Sequence, residues 1–529
     1  MLLRNSGLFF RRLGIASIMS TSINEMLTKT YLKDNPTPTE AVIEGALPQW
    51  LSGELLRTGP AIFEVGGQKM NHFFDGFAML LRFTIKDGSV KYQSHFLNSE
   101  TYRQSFKQNR IVVSQFGTAS YPDPCKSIFH RFMSKFSVPE LTDNGNVNII
   151  PIADELYASS ETQNLCKIDL DSMTNTEKVN IFRRNNIAVN TQTAHPHVES
   201  DGTVYNLGTA FSGRSCYKIV RFDAQKKESG PTASVVSTIP SSSGRNPSYY
   251  HSFGMTENYI ILMEYPFIVD VLSLIISQFT GKTFFNTLSF DQAKPTYINI
   301  IDKKTGETVV KHKADAMFSF HHVNAFEKDG HIFMDLLHYD NIDIFHKLFL
   351  ENIRKDDLNE IYATPRRFVL PLKVEKDSAT NGELTLPAGT SCRAVVQDDG
   401  MVHCHSEVLM DVRIELPQMN YKEYNGKPYK YFYGVSAGFK ELLKVDVENK
   451  TSVRWFEEGC HASEPVFVAN PKAKEEDDGV VLSTVLDCRE GKRPFLLVLN
   501  AKTFKEECRA VVPVEGWAYS LHGRFVSKF

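Results

Sequence analysis

The sequence predicts an all-β fold, a sandwich, barrel or propeller, and three observations carry that reading. Short β-type runs alternate with Gly, Asn and Asp turn residues, as in NRIVVSQFG (109–117), VNIIPIAD (147–154), GTVYNLG (202–208), NYIILMEYP (258–266) and PFLLVLNAKTF (494–504). Two stretches, TYINIIDKKTGETV (296–309) and LLKVDVENKTSVRWF (442–456), share a pattern of strand, Asp, polar turn and strand. Recurrent hairpins of this kind suit propeller blades, although no strict period is visible. The chain has 529 residues, 42% of them hydrophobic, and no Gly/Ser linker divides it. A closed β architecture can absorb such a length in one unit.

Helical patterning is sparse. It is confined to 126–136, 266–279 and 344–355. No stretch of about 20 apolar residues exists, so no transmembrane helix is expected. The 266–279 run, PFIVDVLSLIISQF, is too short to span and is interrupted by Asp270. It reads either as a buried helix or as a surface helix dipping one apolar face into a membrane. The acidic run KEEDD (474–478) reads as a solvated loop.

A net charge of -3 gives no global basicity, which argues against nucleic acid as a partner. Aromatics reach 11%, with 37 Phe and 20 Tyr, which suits a strand-rich core or a cavity for a flat apolar ligand. The eight cysteines are scattered without a CxxC pair, so neither a zinc site nor a disulfide framework is indicated. The first 24 residues contain no Asp or Glu and carry Arg4, Arg11 and Arg12 among Leu, Phe, Ile and Ser. That composition fits a mitochondrial transit leader over 1–24, followed by one domain over 25–529. Met19 and Met26 are alternative starts that would leave a cytosolic form.

Of the 16 histidines, local context separates four settings. These are TAHPHVESDG with His195 and His197, PSYYHSFGM with His251, FSFHHVNAF with His321 and His322, and LHGRF with His522. Each lies beside β-type sequence and a Gly or Asn turn. In a propeller the inner strands of different blades converge on one axis, so side chains far apart in sequence can meet one ion. Strand alternation puts His195 and His197 on the same face and does not choose between them. It separates His321 from His322, with Phe318, Phe320 and His322 on one face if this is a strand.

In order, these four contexts resemble the iron-ligand segments of the carotenoid cleavage oxygenases. Further similar segments are LSGELLRTGP (51–60), NHFFDGFAML (71–80), FGTASYPDPCK (116–126), SSETQN (159–164), IELPQMNY (414–421), ASEPVFV (462–468) and EEDDGVVLS (475–483). The resemblance implies a seven-bladed β-propeller with a helical and loop cap over the iron-bearing axial face. It implies Fe(2+) held by His195, His251, His321 and His522, the first histidine being the ligand in the HPH motif. Glu161, Glu415 and Glu464 then stand behind the imidazoles, and Phe116, Ser160 and Tyr249 line a substrate tunnel. Four neutral imidazoles suit a divalent iron, although imidazole also binds zinc, copper and nickel.

The implied partners are a carotenoid, O2 and a membrane surface touched peripherally, with no obligate protein partner. The 266–279 run and the PDPCK segment around Cys125 fall where family members resemble monotopic membrane proteins. PDPCKSIFHRFMSKF, TDNGNVN, PRRFVLPL and the leader look most like enzymes that cleave eccentrically at the 9',10' bond. ADAMFSFHHVNAFEKDG and LHGRF look closer to central 15,15' cleavage, and retinoid isomerohydrolysis is the third alternative. A reporter fused to residues 1–22 is expected to enter mitochondria; a diffuse cytosolic signal in fluorescence microscopy would contradict the leader reading.

Overall fold

The structure, a computed structural model, describes residues 22–121, 141–228, 230–355, 363–374 and 382–527. Residues 1–21 of the expected 1–24 leader, the helical patterning at 126–136 and Cys125 lie outside them. Seven sheets of four to six strands form the blades of a β-propeller. Blade 1 combines Asn35–Glu40, Gly53–Ile62, Phe77–Lys86 and Ser89–Phe96 with the late strand His522–Val526. Blade 2 spans Asn148–Ile152 to Thr174–Val179, and blade 3 Thr191–Gln192 to Ala233–Pro240. Blade 4 runs from Gly254–Met255 to Thr308–Ala314 and gains Arg393–Val396 and Val402–His405. Blade 5 runs from His322–Lys328 to Thr364–Pro371 with Glu407–Val408, and blade 6 from Ile414–Gln418 to Thr451–Phe456. Blade 7 covers Cys460–Ala462 to Glu506–Val511 and takes up Val42–Gly45.

The repeated hairpins have a common cause. Asp302 at the end of its strand accepts the N–H groups of Lys304 and Thr305, and Gly306 supplies φ 74°. Asp446 does the same for Glu448 and Asn449. The aspartate thus turns the chain without leaving donors unpaired. Burial follows position in the blade. Gly53–Ile62 is buried along its whole length, whereas the edge strand Thr451–Phe456 buries only Trp455.

Two crossovers close the ring. Asn35–Glu40 lies on the edge of blade 1 and Val42–Gly45 on the edge of blade 7, so one short segment belongs to both. His522–Val526 returns from blade 7 to pair with Gly53–Ile62, with Thr58 opposite His522 and Glu54 opposite Val526. Mixing strands from both ends of the described chain in one sheet removes the free edge that an open ring would expose.

Helices Glu100–Lys107, Val271–Thr280 and Asp343–Lys347, with their loops, contribute the cap. Asp270, which interrupts the apolar run in the sequence, is the N-cap of Val271–Thr280 and accepts the N–H groups of Leu272 and Ser273. This is a surface helix, contrary to the buried alternative. Leu272, Ile275, Ile276 and Phe279 are exposed, whereas Leu274 packs on the core.

Two expectations change. NRIVVSQFG (109–117) is not a strand. Side chains satisfy its backbone instead: Gln68 accepts the Ile111 N–H, and buried Asp75 accepts the Gly117 N–H and the Thr118 hydroxyl. KEEDD is more than a solvated loop, because Asp477 is buried against Lys444 at 2.5 Å and Glu476 accepts the Lys430 and Tyr431 N–H groups. The seven cysteines among the described residues are free, as the scattered spacing anticipates.

The closing strand is tightly seated. A Cβ added at Gly523 would lie 2.0 Å from the Leu56 carbonyl oxygen. Gly523→Ala is therefore expected to destabilise the protein by about 1–3 kcal/mol, read as a lower urea midpoint. An unchanged midpoint would show that the closing strand carries little of the stability.

Candidate metal centre

Each blade sends one group to the axis. His195 precedes His197–Val198 in blade 3, His251 precedes Gly254–Met255 in blade 4, and His321 precedes His322–Lys328 in blade 5. His522 opens the closing strand of blade 1. Glu161 follows Glu155–Ser159 in blade 2, Glu415 lies in Ile414–Gln418 of blade 6, and Glu464 sits between Cys460–Ala462 and Val466–Ala469 of blade 7.

Local bonds aim these groups. The Thr193 hydroxyl accepts the His195 N–H and donates to Asn206, fixing the HPH turn. Ser252 donates to the Phe320 carbonyl and accepts the His322 N–H, so it ties the His251 and His321 segments together. One ring nitrogen from each of His195, His251, His321 and His522 lies within 4.8 Å of the other three. The Nε2 atoms of His195 and His251 are 2.9 Å apart. That matches two imidazoles at right angles on an ion with bonds of about 2.1 Å, which would separate them by about 3 Å. The buried Nε2 of His321 has no hydrogen-bond partner within the protein.

Three rings are braced from behind. His251 Nδ1 lies 2.6 Å from Glu161, His321 Nδ1 2.7 Å from Glu415, and His522 Nδ1 2.7 Å from Glu464. A carboxylate on Nδ1 fixes the ring and leaves Nε2 as the donor to a metal. The carboxylates are braced in turn. Tyr249 donates to Glu161 at 2.8 Å, Tyr339 to Glu415 at 2.6 Å, and the fully buried Arg57 to Glu464 at 2.6 Å. Three carboxylates and one guanidinium leave two negative charges, which a divalent cation would cancel. The residues present therefore fit a divalent metal.

Electrostatics favour neutral rings at His195 and His321. Burial, reinforced by the facing imidazoles, holds His195 well below the usual histidine range. Burial likewise takes His321 down to about 4 despite the opposing pull of Glu415. Burial pushes Glu464 up, but His522, Arg57 and Gln418 outweigh it and keep the carboxyl below its ordinary value.

The neighbouring histidines are engaged elsewhere. His197 bonds Tyr421 and the Phe253 carbonyl, both at 2.9 Å. His322 Nδ1 bonds Ser252 at 2.8 Å. The alternation applied to 318–323 does not extend that far, because the strand begins at His322 and Phe320 lines the cavity beside His321. A bend at Phe320 sets both inward.

A cavity of about 1600 Å3 is lined by His251, His321 and His522, by the tunnel candidates Phe116, Ser160 and Tyr249, and by Leu274 and Ile275 of the surface helix. Aromatic rings wall it: Phe320 meets His251 edge-on at 5.1 Å, and Phe74 meets Phe116 at 5.6 Å. Sequence reasoning missed Arg57 and Tyr339. Arg57 had a signal, since a charge inside the apolar strand of LSGELLRTGP demands a buried partner. Tyr339 had none.

A family profile described as retinal pigment epithelial membrane protein matches residues 30–527. The mouse protein named beta,beta-carotene 15,15'-dioxygenase is 41% identical over 93% of this chain and 90% of its own length. The Mustela putorius furo protein named carotenoid-cleaving dioxygenase, mitochondrial, is 41% identical over 94% of this chain and 95% of its own. The crystal structure of a cobalt-substituted Synechocystis apocarotenoid oxygenase superposes with TM-score 0.76 at 21% identity, covering 95% of this chain and 98% of that one.

Replacing any one of His195, His251, His321 or His522 by Ala is expected to abolish metal retention, whereas His197→Ala and His322→Ala keep it. Glu161→Gln, Glu415→Gln and Glu464→Gln are expected to weaken metal affinity about 10–100-fold. Elemental analysis of the purified variants checks both. Full metal in His195→Ala with loss in His197→Ala would reverse the assignment within HPH.

Proposed function

The chain belongs to the carotenoid oxygenase family, and on that premise we propose that it is an iron(II) dioxygenase cleaving a carotenoid polyene at its 9',10' double bond. Each turnover consumes one O2 and one C=C bond, and one oxygen atom ends in each of two new carbonyls. The products are an apocarotenal and an ionone. The observation that carries the dioxygenase reading is a cavity in which three of the four converging imidazoles face an aromatic-walled space that reaches a surface helix.

His195, His251, His321 and His522 are the residues that hold the ion. When bound, iron(II) supplies the redox chemistry toward dioxygen that no side chain here provides. The protein does the rest. Glu161, Glu415 and Glu464 accept the Nδ1 protons and keep each Nε2 turned toward the ion position. Tyr249, Tyr339 and Arg57 prevent those carboxylates from swinging away. Phe116, Phe320 and Tyr249 present flat apolar surfaces to a flat apolar polyene and exclude water. Ser160 lines the same passage. How far the polyene slides past the imidazoles selects the bond.

Central 15,15' cleavage is the second reading, favoured by the segments ADAMFSFHHVNAFEKDG and LHGRF and by a 41% identical relative carrying that name. Incubating iron-loaded protein with β-carotene and zeaxanthin, with the aldehydes identified by mass, separates them. Long apocarotenals are expected; retinal alone would favour central cleavage, and turnover of a retinyl ester without aldehydes would favour an isomerohydrolase. The leader and the mitochondrial relative support a mitochondrial address.

Substrate delivery calls for a membrane, since a carotenoid is nearly absent from water. No helix among the described residues is long and apolar enough to cross one. The exposed set Leu272, Ile275, Ile276 and Phe279 follows the spacing of one helix face beside the cavity. Inserting that face recovers about 25 cal/mol per Å2 of apolar area otherwise left in water. Leu272→Asp with Ile276→Asp is expected to release the protein from liposomes in flotation and to lower activity on membrane-embedded carotenoid. Activity on detergent-solubilised substrate and the melting temperature should persist. Unchanged flotation would put the contact elsewhere, near Cys125 for example.

A further inference from the structure

Blade 4 acquires two of its strands late. After blade 5 has begun, the chain returns and adds Val402–His405 and Arg393–Val396 to the outer side of Thr308–Ala314. The junction is parallel, with His312 opposite Val402 and Lys313 opposite His403. A parallel register carries forward, so Asp315 comes level with His405. Residues two apart share a face, which brings Asp315, His403 and His405 to the same side.

Their contacts bear this out. His403 Nε2 lies 3.0 Å from one Asp315 oxygen, and His405 Nδ1 lies 3.8 Å from the other. The two imidazole rings are 4.6 Å apart. One donor atom of each of the three residues lies within 4.8 Å of the other two. His403 is mostly buried, whereas Asp315 is 78% exposed, so the group is braced on one side and open to solvent on the other. The cations nearest in register are already taken: Lys313 pairs with Asp399 and Arg393 with Glu383.

We propose that Asp315, His403 and His405 form a second metal site, on the rim of blade 4, for a borderline divalent transition ion such as Zn2+. Two imidazoles and one carboxylate suit such an ion, whereas Mg2+ and Ca2+ favour an all-oxygen set. Three protein donors leave positions for water. An ion here ties the returning strand Val402–His405 to the end of Thr308–Ala314, far in the sheet order from the inner strand beside His251.

The test uses the full, iron-loaded chain equilibrated with micromolar ZnCl2, with iron and zinc measured in the same sample and melting followed in parallel. One added equivalent of zinc is expected, with iron retained and the melting temperature raised. His403→Asn with His405→Asn should lose both the added zinc and the melting shift while keeping iron and turnover. Asp315→Asn, which keeps the shape, should weaken zinc binding and guards against misfolding of the double variant. No added zinc in the parent, zinc bound only as iron is lost, or zinc persisting in all three substitutions would each overturn the proposal.

Discussion

Carboxylates buried beside imidazoles impose the constraint on which the centre depends. Glu464 is 1% exposed, and a lone charge there would be untenable. It is kept ionised by His522, Arg57, Gln418 and the Gly523 N–H. Glu161 and Glu415 repeat the arrangement with a tyrosine in place of the arginine. The pattern is layered, each polar group being fixed by the one behind it. Its charges balance only when two further positive charges sit among the four rings. The same groups that orient the imidazoles therefore create the electrostatic demand for a divalent ion.

That demand explains features of the fold which would otherwise be arbitrary. The closing strand must bring His522 against Glu464, so blades 1 and 7 have to meet closely. They do so through Arg57, whose guanidinium reaches Ser463, Glu464 and Ser520 together. Breaking one partner of such a buried set costs more than the set contributes, because the remainder is stranded without water. The ring and the centre are thus stabilised by the same bonds. The cap serves a different need, covering the cavity with aromatic and apolar surface while leaving the apolar face of Val271–Thr280 outside.

Much of this was legible from the sequence, and the failures have physical causes. Asp-terminated hairpins announced the blades because an aspartate accepting two N–H groups is a local device. The ordered histidine and glutamate motifs picked out the residues that converge, although spacing alone could not have done so. NRIVVSQFG misled because its apolar pattern serves the cavity wall and Asp75 supplies the acceptor that a neighbouring strand would have offered. KEEDD misled because charge in sequence resembles solvation until a buried lysine is found opposite. Tyr339 acts across 76 residues and left no local pattern, whereas the charge of Arg57 inside an apolar strand announced a buried partner but not which one, 407 residues away.

One contribution per blade also fixes an order of events in the cell. His522 is synthesised after every other member of the centre, and its strand pairs with one made more than 450 residues earlier. Until that pairing forms, Glu464 lacks His522 and Arg57 lacks Ser520, and the ring of four imidazoles is incomplete. Before His522 is made, only three of the four imidazoles, those of His195, His251 and His321, are present. The four-imidazole site therefore comes into being only with the closing strand, so completion of the fold and completion of the centre are one event.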